Sequence, residues 1–463
     1  MIVKEINPSN EKIYKEFEAT SFEEIDDIIK NSRENYVWKN MLIEDRIKII
    51  KNIVYLLEEN KRLLAETMAN EMGKAIKSGI HEVDIIKKRI SDYCDMIPNF
   101  IEDETIFDNE NEKNIVVFEP IGTVAVITPW NAPVFLPLAS IIPALITGNS
   151  VIFKPSSNAI DTGIKISEIV NKLKDFGFPN NIFQIIIPGR NSGEYLVKNN
   201  IDLTVLVGGL KAGQEVMKNS AENIKKFILE LGGKDPAIVL NDADIDNTAK
   251  QIVKTSTMYT GQVCFGVERV YAQESIYENL VNKIIEENNK IKAGNPLDEK
   301  TDIGPFAIKS QLDKVLDHLN DAKNKGAKLY GGEHFKIDGK GYFMNPGVLI
   351  NVNHSMKIMK EETFGPITPI MKFSNIEEAI NLANDSDMGL TASIWTKNLE
   401  KGKNIARKIN AGTVEINRHG LSKAGCPWGG YKKSGFGRIY SKEGIRNFCN
   451  TKHIWIIKNQ EKT

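Results

Sequence analysis

The sequence is short of cysteine, of net charge and of long apolar runs, and each shortage excludes a class of protein. Its 463 residues carry a formal net charge of -1, which leaves no field that would recruit nucleic acid or an anionic membrane. No window has the apolar length of a membrane helix or of a signal peptide. The cysteines form no CxxC pair, which argues against a disulfide framework and against a zinc site. We therefore expect a cytoplasmic protein with no metal, nucleic-acid partner or membrane partner.

The apolar pattern predicts an α/β fold with more than one domain, because the chain is too long for one ordinary core. Residues 22–96 have apolar positions at intervals of three and four, which predicts helices. From about residue 122, strand-like runs alternate with helices in the rhythm of βαβ units, and the rhythm restarts after about residue 233. The predicted strands are VAVIT, SVIFK, FQIIIP, LTVLV, ILEL and PAIVL, followed by ERVYA, YFMNPGVLI, ITPIMKF, ASIWT and GTVEIN.

Two further short segments have strand character outside this rhythm. Residues 107–117 predict a loop and strand that form a projecting hairpin. The C-terminal run HIWIIK is too isolated to form a sheet alone, so it pairs either with this hairpin or with another subunit.

One cysteine, Cys264, lies among small and flexible residues in the stretch GQVCFG. A deprotonated thiol is a strong nucleophile near neutral pH, and we expect Gly261 and Gly266 to let a substrate carbonyl approach it. The alternative is a buried cysteine that behaves as a small apolar residue.

Polar side chains follow two of the predicted strands. Asn131, in TPWNAP, comes at the carboxyl end of a buried strand, where its amide can donate to an oxyanion, although an asparagine between prolines is also a common turn residue. Lys154 and Ser156, in FKPS, can hold a ribose or its phosphate, or Lys154 is simply a surface lysine at a strand end.

Glycine-rich turns follow two other segments. Gly208, Gly209 and Gly213 lie between a strand and a helix start, where backbone NH groups can face a phosphate. The run that starts at Gly189 and ends at Gly193 has similar character, and tight turns explain both segments equally well.

Two carboxylates have a candidate role. Glu230 ends an apolar run before two glycines, so partial burial can raise its pKa toward that of a general base; a capping or salt-bridged glutamate is the alternative. Glu362, in EETFGP, can bind ribose hydroxyls, and Phe364 can support a nicotinamide ring, although a pair of glutamates is usually solvated.

The ordered set TPWNAP, FKPS, GG(x3)G, ELGG, GQVC, EETFGP and PWGGYKKSGFGR resembles the aldehyde dehydrogenase superfamily from near residue 5 to near residue 458. The resemblance implies that Cys264 is the nucleophile, that Asn131 with the Cys264 backbone NH forms the oxyanion hole, and that Glu230 activates the deacylating water. It implies oxidation of an aldehyde by NAD(P)+ through a thiohemiacetal and a thioester, with hydrolysis to the acid.

The resemblance also assigns residues to the cofactor and substrate. The implied cofactor-binding residues are Thr128, Pro129, Trp130, Lys154, Ser156, Ser157, Gly189, Gly208, Gly209, Gly213, Leu231, Gly232, Glu362 and Phe364. The implied substrate tunnel is formed by Phe135, Leu136, Met258, Phe265 and Trp428.

The family implies two Rossmann-like α/β domains with parallel sheets and a small β element that joins subunits into homodimers or homotetramers. On this sequence the cofactor-binding domain is residues 1–101 with 121–232, the catalytic domain is 233–447, and the oligomerisation element is 102–120 with 448–463.

Three departures from the family pattern bear on cofactor and substrate. The usual TGS turn is Val207-Gly208-Gly209 here, and Arg438 is followed by Ile439 where a glutamate is common. Ser157 stands where members that prefer NAD often carry an acid, so we expect NADP or NAD with NADP slightly favoured.

The apolar tunnel and Ala139, where carboxylate-binding relatives often have arginine, favour an uncharged or aromatic aldehyde. The alternatives are a semialdehyde (succinate-semialdehyde-like) or glyceraldehyde dehydrogenase. A CoA-acylating relative is disfavoured by Glu230, and a catalytically silent relative is disfavoured by Cys264 and Asn131.

Overall fold

A computed structural model describes residues 1–458. The strands are β1 (Ile2–Asn7), β2 (Lys12–Glu18), β3 (Glu104–Asp108), β4 (Glu112–Pro120), β5 (Thr123–Ile127), β6 (Ser150–Lys154), β7 (Phe183–Ile185), β8 (Leu203–Val207), β9 (Lys226–Glu230), β10 (Asp235–Val239), β11 (Val267–Gln273), β12 (Lys328–Gly331), β13 (His334–Ile337), β14 (Lys340–Met344), β15 (Gly347–Ile350), β16 (Ile367–Phe373), β17 (Met388–Gly389), β18 (Thr391–Trp395), β19 (Thr413–Ile416), β20 (Tyr431–Lys432), β21 (Gly435–Phe436) and β22 (Cys449–Ile457).

The α-helices are α1 (Phe22–Arg33), α2 (Tyr36–Asn40), α3 (Ile43–Glu59), α4 (Lys61–Met72), α5 (Ile76–Phe100), α6 (Phe135–Ile146), α7 (Ile160–Asn171), α8 (Ser192–Lys198), α9 (Leu210–Ala221), α10 (Ile245–Thr257), α11 (Tyr277–Asn288), α12 (Lys309–Asn324), α13 (Lys357–Lys360), α14 (Ile376–Asn384), α15 (Leu399–Ala406) and α16 (Lys442–Arg446). Short 3-10 helices occupy Lys172–Phe176, Met258–Gly261 and Glu274–Ile276. Among residues 1–458, no helix is both long enough and apolar enough to cross a membrane.

The first large sheet has the strand order β21-β9-β8-β5-β6-β7, and every pair is parallel except β21 with β9. Its central strands β5 and β8 are buried at every position, because helices cover both faces of the sheet. This is why they stand out in the sequence as continuous apolar runs.

The second large sheet has the order β12-β15-β16-β11-β10-β18-β19, with β12 antiparallel at one edge and the remaining pairs parallel. Apolar side chains form a separate core cluster on each of its two faces. The α/β fold with two parallel sheets is therefore confirmed.

A third, antiparallel sheet has the order β22-β4-β3. The HIWIIK run lies in β22, which pairs with β4 along its whole length, so the first of the two predicted pairings is found within this chain. From Asn450 to Ile457 the strand is exposed. The last part of the predicted oligomerisation element, residues 459–463, lies outside the described residues.

The structure corrects three details of the strand predictions. YFMNPGVLI is two strands, β14 and β15, because Pro346 between them has no NH to donate to a ladder. The FQIIIP strand is limited to Phe183–Ile185. Residues 1–18 form a hairpin of β1 and β2 that the apolar pattern did not predict, since most of its side chains are exposed.

The end of the chain returns to the first sheet before β22. Strand β21 extends that sheet beside β9, and Trp428, Ile439 and Tyr440 belong to the core that packs against it. This return brings side chains from both ends of the sequence to the loop that carries Cys264.

Candidate functional site

Cys264 lies in a loop between α10 and β11 that has an unusual backbone. Tyr259 and Thr260 have φ of 51° and 62°, in the left-handed region that β-branched residues such as threonine rarely adopt. Gly261 follows with φ of 72°, and a Cβ there would lie 2.2 Å from the carbonyl carbon of Gly365. The expectation that Gly261 leaves room for a substrate is thus corrected, because its missing side chain makes room for the Gly365 backbone.

Asn131 is buried beside this loop. Its Nδ2 donates to the carbonyl of Gln262 at 2.9 Å. The Gln262 side chain in turn donates to the Tyr259 carbonyl at 2.9 Å and accepts the Ala307 NH at 3.2 Å. Gln262 therefore fixes the loop, and the sequence analysis did not single it out.

Cys264 is partly exposed at the border between two cavities of about 250 and 230 Å³. Asn131 and Leu136 also line both. A reactant in either cavity can therefore reach the thiol. Burial raises the pKa of Cys264, and the nearby Asp235, Glu362 and Glu230 raise that pKa further.

Glu230 is the last residue of β9 and lines the smaller cavity. It is buried, and among the described residues neither carboxylate oxygen has a hydrogen-bond partner. Burial raises its pKa well above the usual range, against the opposing charge of Arg438. A buried carboxyl without partners can take or give a proton at a reacting centre.

The turn before α9 forms part of the lining of the smaller cavity. Gly209 is exposed, and a Cβ built on it would meet nothing within 4 Å, whereas the Gly208 NH is used by the Glu230 carbonyl at 3.0 Å. Gly213 is one turn into α9, where a Cβ would lie 2.8 Å from Leu231 Cδ1. Close helix-to-strand packing thus accounts for Gly213, and the open helix start is at Gly209.

Two aromatic rings that line this cavity contact each other. Trp130 and Phe364 pack edge to face with centroids 5.9 Å apart and planes at 81°. Phe364 has φ of 55°, and its NH donates to Glu268 Oε1 at 2.8 Å. The anchoring residue Glu268 is a second site residue that the sequence analysis missed.

Glu362 is beside the first glycines after β9. Its Oε1 accepts the Gly233 NH at 3.0 Å, and a Cβ on Gly232 would lie 2.6 Å from the same oxygen. Burial, with the charge of Glu268, raises the pKa of Glu362 to about 7. Glu362 therefore changes charge near neutral pH.

Of the predicted cofactor residues, the smaller cavity is lined by Pro129, Trp130, Gly208, Gly209, Leu231, Gly232, Glu362 and Phe364. The remaining ones line neither cavity: Thr128, Lys154, Ser156, Ser157, Gly189 and Gly213. The predicted cofactor residues thus form two groups, one that lines the smaller cavity and one that lies elsewhere in the fold.

Four of these outlying residues lie near β6 or α8: Lys154 ends β6, Ser156 and Ser157 follow it, and Gly189 precedes α8. Lys154 Nζ donates to the Pro155 carbonyl at 3.0 Å, and burial lowers the pKa of Lys154 to about 8. A Cβ on Gly193 would lie 3.1 Å from Lys154 Cε, while Ser157 is exposed. The Gly189 NH is taken by Ser192 Oγ at 3.1 Å, so it is not free for a phosphate.

The larger cavity contains every predicted tunnel residue: Phe135, Leu136, Met258, Phe265 and Trp428. Phe265 and Trp428 meet edge to face with centroids 6.0 Å apart. The lining also includes polar residues that the sequence analysis did not assign to it, among them His81, Glu82, Lys254 and Arg418.

His419 also lines the larger cavity and contacts the loop that carries Cys264. Its Nε2 is 2.7 Å from the Phe265 carbonyl, and Nδ1 is 3.0 Å from Ser393 Oγ. Burial lowers the pKa of His419 to about 4, so the ring is neutral near pH 7 and Nε2 donates to the carbonyl.

Comparisons with known proteins show which family this chain resembles. The model of the aldehyde dehydrogenase family matches residues 2–454. Betaine aldehyde dehydrogenase of Bacillus subtilis (strain 168) is 33% identical over 426 residues, which cover 90% of this chain and 86% of that protein. Lactaldehyde dehydrogenase of Escherichia coli (strain K12) is 34% identical over 428 residues, covering 90% of this chain and 87% of that one.

A solved structure shows the same fold. Betaine aldehyde dehydrogenase from Staphylococcus aureus, in complex with NAD+, superposes with a TM-score of 0.93 at 32% identity, covering 99% of this chain and 92% of that one. The family match spans nearly the whole sequence and includes both sheets and the loop of Cys264. The chain belongs to the aldehyde dehydrogenase family.

Proposed function

We propose that the protein oxidises an aldehyde to the carboxylic acid with NAD(P)+, without CoA, through intermediates bound to Cys264. The observation that carries this proposal is the position of Cys264 on the border of two cavities, with the unpartnered carboxyl of Glu230 in one of them. A nucleophile between an aldehyde and an oxidant needs such an arrangement, and a base for a water molecule completes it.

In this mechanism the Cys264 thiolate adds to the aldehyde carbon, and the oxyanion is stabilised by Asn131 Nδ2 and the Cys264 backbone NH. The thiohemiacetal carbon would give its hydride to a bound NAD(P)+, which would leave a thioester on Cys264. Glu230 then takes a proton from the water that attacks the thioester, and the Cys264 thiolate leaves with the acid released. Because burial disfavours the Glu230 carboxylate, proton uptake by this group is favourable.

Residues that line the smaller cavity are suited to bind parts of NAD(P)+. The open helix start at Gly209 offers NH groups to a pyrophosphate, and the rings of Trp130 and Phe364 can flank a nicotinamide. Glu362 in this cavity would bind the hydroxyls of one ribose, and Lys154, outside the cavity at the end of β6, would bind those of the other.

We propose NADP or NAD as cofactor, with NADP slightly favoured. The support is that Lys154 is a cation, while Ser157 supplies a hydroxyl in place of an acid. The relative from S. aureus is in complex with NAD+, so the two cofactors must be compared directly.

We propose an uncharged or aromatic aldehyde as substrate, since apolar side chains form most of the larger cavity near Cys264. A semialdehyde with a carboxylate is a second candidate, which Lys254 and Arg418 in the lining favour. Lys254 is exposed, and Arg418 is 3.3 Å from the carboxylate of Glu415, so part of this positive charge is already neutralised.

We also propose a division into three parts. The cofactor is bound by residues 1–101 with 121–232, and Cys264 is carried by residues 233–447. Subunits are joined into homodimers or homotetramers by residues 102–120 with 448–463. The exposed side chains of Ile454, Trp455 and Ile456 on β22 support a subunit contact there. Four free cysteines support a reducing compartment, in which we place the protein as cytoplasmic.

The test is a panel of aldehydes with NAD+ and NADP+, with and without CoA, followed by absorbance of the reduced cofactor. We expect reduction without CoA and one carboxylic acid for each reduced cofactor. Activity only with CoA would favour an acylating enzyme, and no activity with any aldehyde would favour a catalytically silent relative.

A further inference from the structure

Two buried lysine–glutamate pairs contact residues that line the two cavities beside Cys264, and each glutamate accepts two consecutive backbone NH groups. One pair is Lys234 with Glu268, at 2.6 Å, and the other is Lys74 with Glu82. The side chains are at most 8% exposed. The mechanism above uses none of these four residues.

Glu268 holds the wall of the smaller cavity. Its Oε2 accepts the Thr363 NH at 2.9 Å, and its Oε1 accepts the Phe364 NH at 2.8 Å. Lys234 Nζ bridges back to Thr363 Oγ1 at 3.2 Å. Since Phe364 has a left-handed backbone, these bonds hold a conformation that residues other than glycine rarely adopt.

Glu82 holds the wall of the larger cavity. Its Oε1 accepts the NH groups of Val134 and Phe135 at 2.9 and 2.8 Å, at the start of α6. The same helix start presents Phe135 to the larger cavity, and Asn131 precedes it by a few residues. Lys74 Nζ also lies 3.5 Å from the centroid of the Tyr259 ring, in the strained loop before Cys264.

Stability alone is a weak reason for such pairs. Removing two charges from water is unfavourable, and apolar replacements of the same volume are often as stable. What an apolar pair cannot do is accept two NH groups in a fixed direction. The role of each pair is therefore to fix the position of backbone NH groups. Each pair does so at the wall of a different cavity.

We propose that Glu268 and Glu82 are positioning residues with separate duties, Glu268 fixing the cofactor wall at Phe364 and Glu82 fixing the aldehyde wall at Phe135. The inference rests on the proposed function, because it assigns one cavity to each reactant. It predicts that the two residues can be separated by experiment, with each one serving as the matched control for the other.

The test compares Glu268→Gln and Glu82→Gln, which keep the side-chain size and remove the charge. Cofactor Kd is measured by quenching of protein fluorescence, and the aldehyde side by KM and by protection of Cys264 from iodoacetamide. We expect Glu268→Gln to raise the cofactor Kd about tenfold and the aldehyde constants less than about twofold, and Glu82→Gln to do the reverse.

Each single variant leaves a buried lysine unpaired and can lose stability for that reason. The double variants Lys234→Met/Glu268→Gln and Lys74→Met/Glu82→Gln remove that charge, while the acceptor of the backbone NH groups is still a neutral amide in place of a carboxylate. We expect them to regain melting temperature and to keep the binding defect of the single variant. Three results would overturn the inference. They are wild-type binding in the double variants, equal losses of cofactor and aldehyde binding in each variant, and failure of all four variants to fold.

The fluorescence titration separates this inference from the proposed function. If the parent binds cofactor but oxidises no aldehyde in the panel, the proposed function fails, while the Glu268 comparison still gives a result. If the parent is active and the two glutamates cannot be distinguished, only the positioning inference fails.

Discussion

Asn131 Nδ2 donates to the carbonyl of Gln262 at 2.9 Å, which ties the candidate oxyanion donor to the loop of the candidate nucleophile. An amide nitrogen has two hydrogens, so one remains for an oxyanion formed at Cys264. The donor is thus already oriented by the segment that carries the thiol. Such fixed donors lower a reaction barrier because they need no reorganisation during the reaction.

Asn131→Ala is expected to lower kcat by roughly 10²- to 10³-fold, since it removes one of the two donors. Steady-state rates with one aldehyde and saturating cofactor measure the effect. Asn149→Ala is the matched control, because buried Asn149 also donates to a backbone carbonyl, that of Phe448 at 3.0 Å, far from Cys264 in sequence. A loss of stability in both variants with unchanged kcat would remove Asn131 from the mechanism.

Glu230→Gln is expected to separate the two half-reactions. Hydride transfer needs no base at this position, whereas hydrolysis of the thioester does, so a burst of reduced cofactor should precede slow turnover. Stopped-flow absorbance checks this. Loss of the burst together with turnover would indicate that Glu230 activates the thiol, and unchanged turnover would exclude it.

Cofactor binding is expected to strengthen as pH rises through about 7, because the Glu362 pKa is raised to that value. Below pH 7 the carboxyl is protonated, and above it the carboxylate accepts stronger hydrogen bonds from ribose hydroxyls. Fluorescence titrations of NAD+ between pH 6 and about 8 measure the slope. Glu362→Gln should bind more weakly with no such slope, and a slope that survives in Glu362→Gln would assign it to another group.

Ser157→Glu is expected to shift selectivity toward NAD+ by about 1 to 2 kcal/mol, on the order of tenfold, through repulsion of the 2′-phosphate. In the parent, the preference for NADP+ should weaken with rising salt and above about pH 8, where Lys154 loses its charge. Kinetic constants for both cofactors check this. A parent that ignores NADP+ would show that another group excludes the phosphate.

The sequence was sufficient for the parts of the fold that apolar patterns specify. Strands such as β5 and β8 are buried on both faces and therefore appear as continuous apolar runs. The β1–β2 hairpin was missed because charged and exposed side chains dominate both strands. The apolar run YFMNPGVLI predicts one strand, but Pro346 interrupts the ladder because it has no NH to donate.

The sequence motifs predict the candidate site, but they do not predict the residues that hold it in position. Glu268 is 95 residues from Thr363, whose NH it accepts, and nothing local in the sequence indicates that contact. Glu82 is similarly 52 residues from Val134. Gly261 was noticed as a glycine near the thiol, but its close neighbour, Gly365, is about a hundred residues further along the chain.

The most direct test of the account is the mass of Glu230→Gln after one turnover with aldehyde and cofactor. Because hydrolysis is slow in this variant, the acyl group should remain on the enzyme. We predict a peptide containing Cys264 that is heavier by the acyl group, with one reduced cofactor for each modified chain, and no such peptide from Glu230→Gln/Cys264→Ser. Reduced cofactor without an acyl group on Cys264, or an acyl group on another residue, would contradict the account.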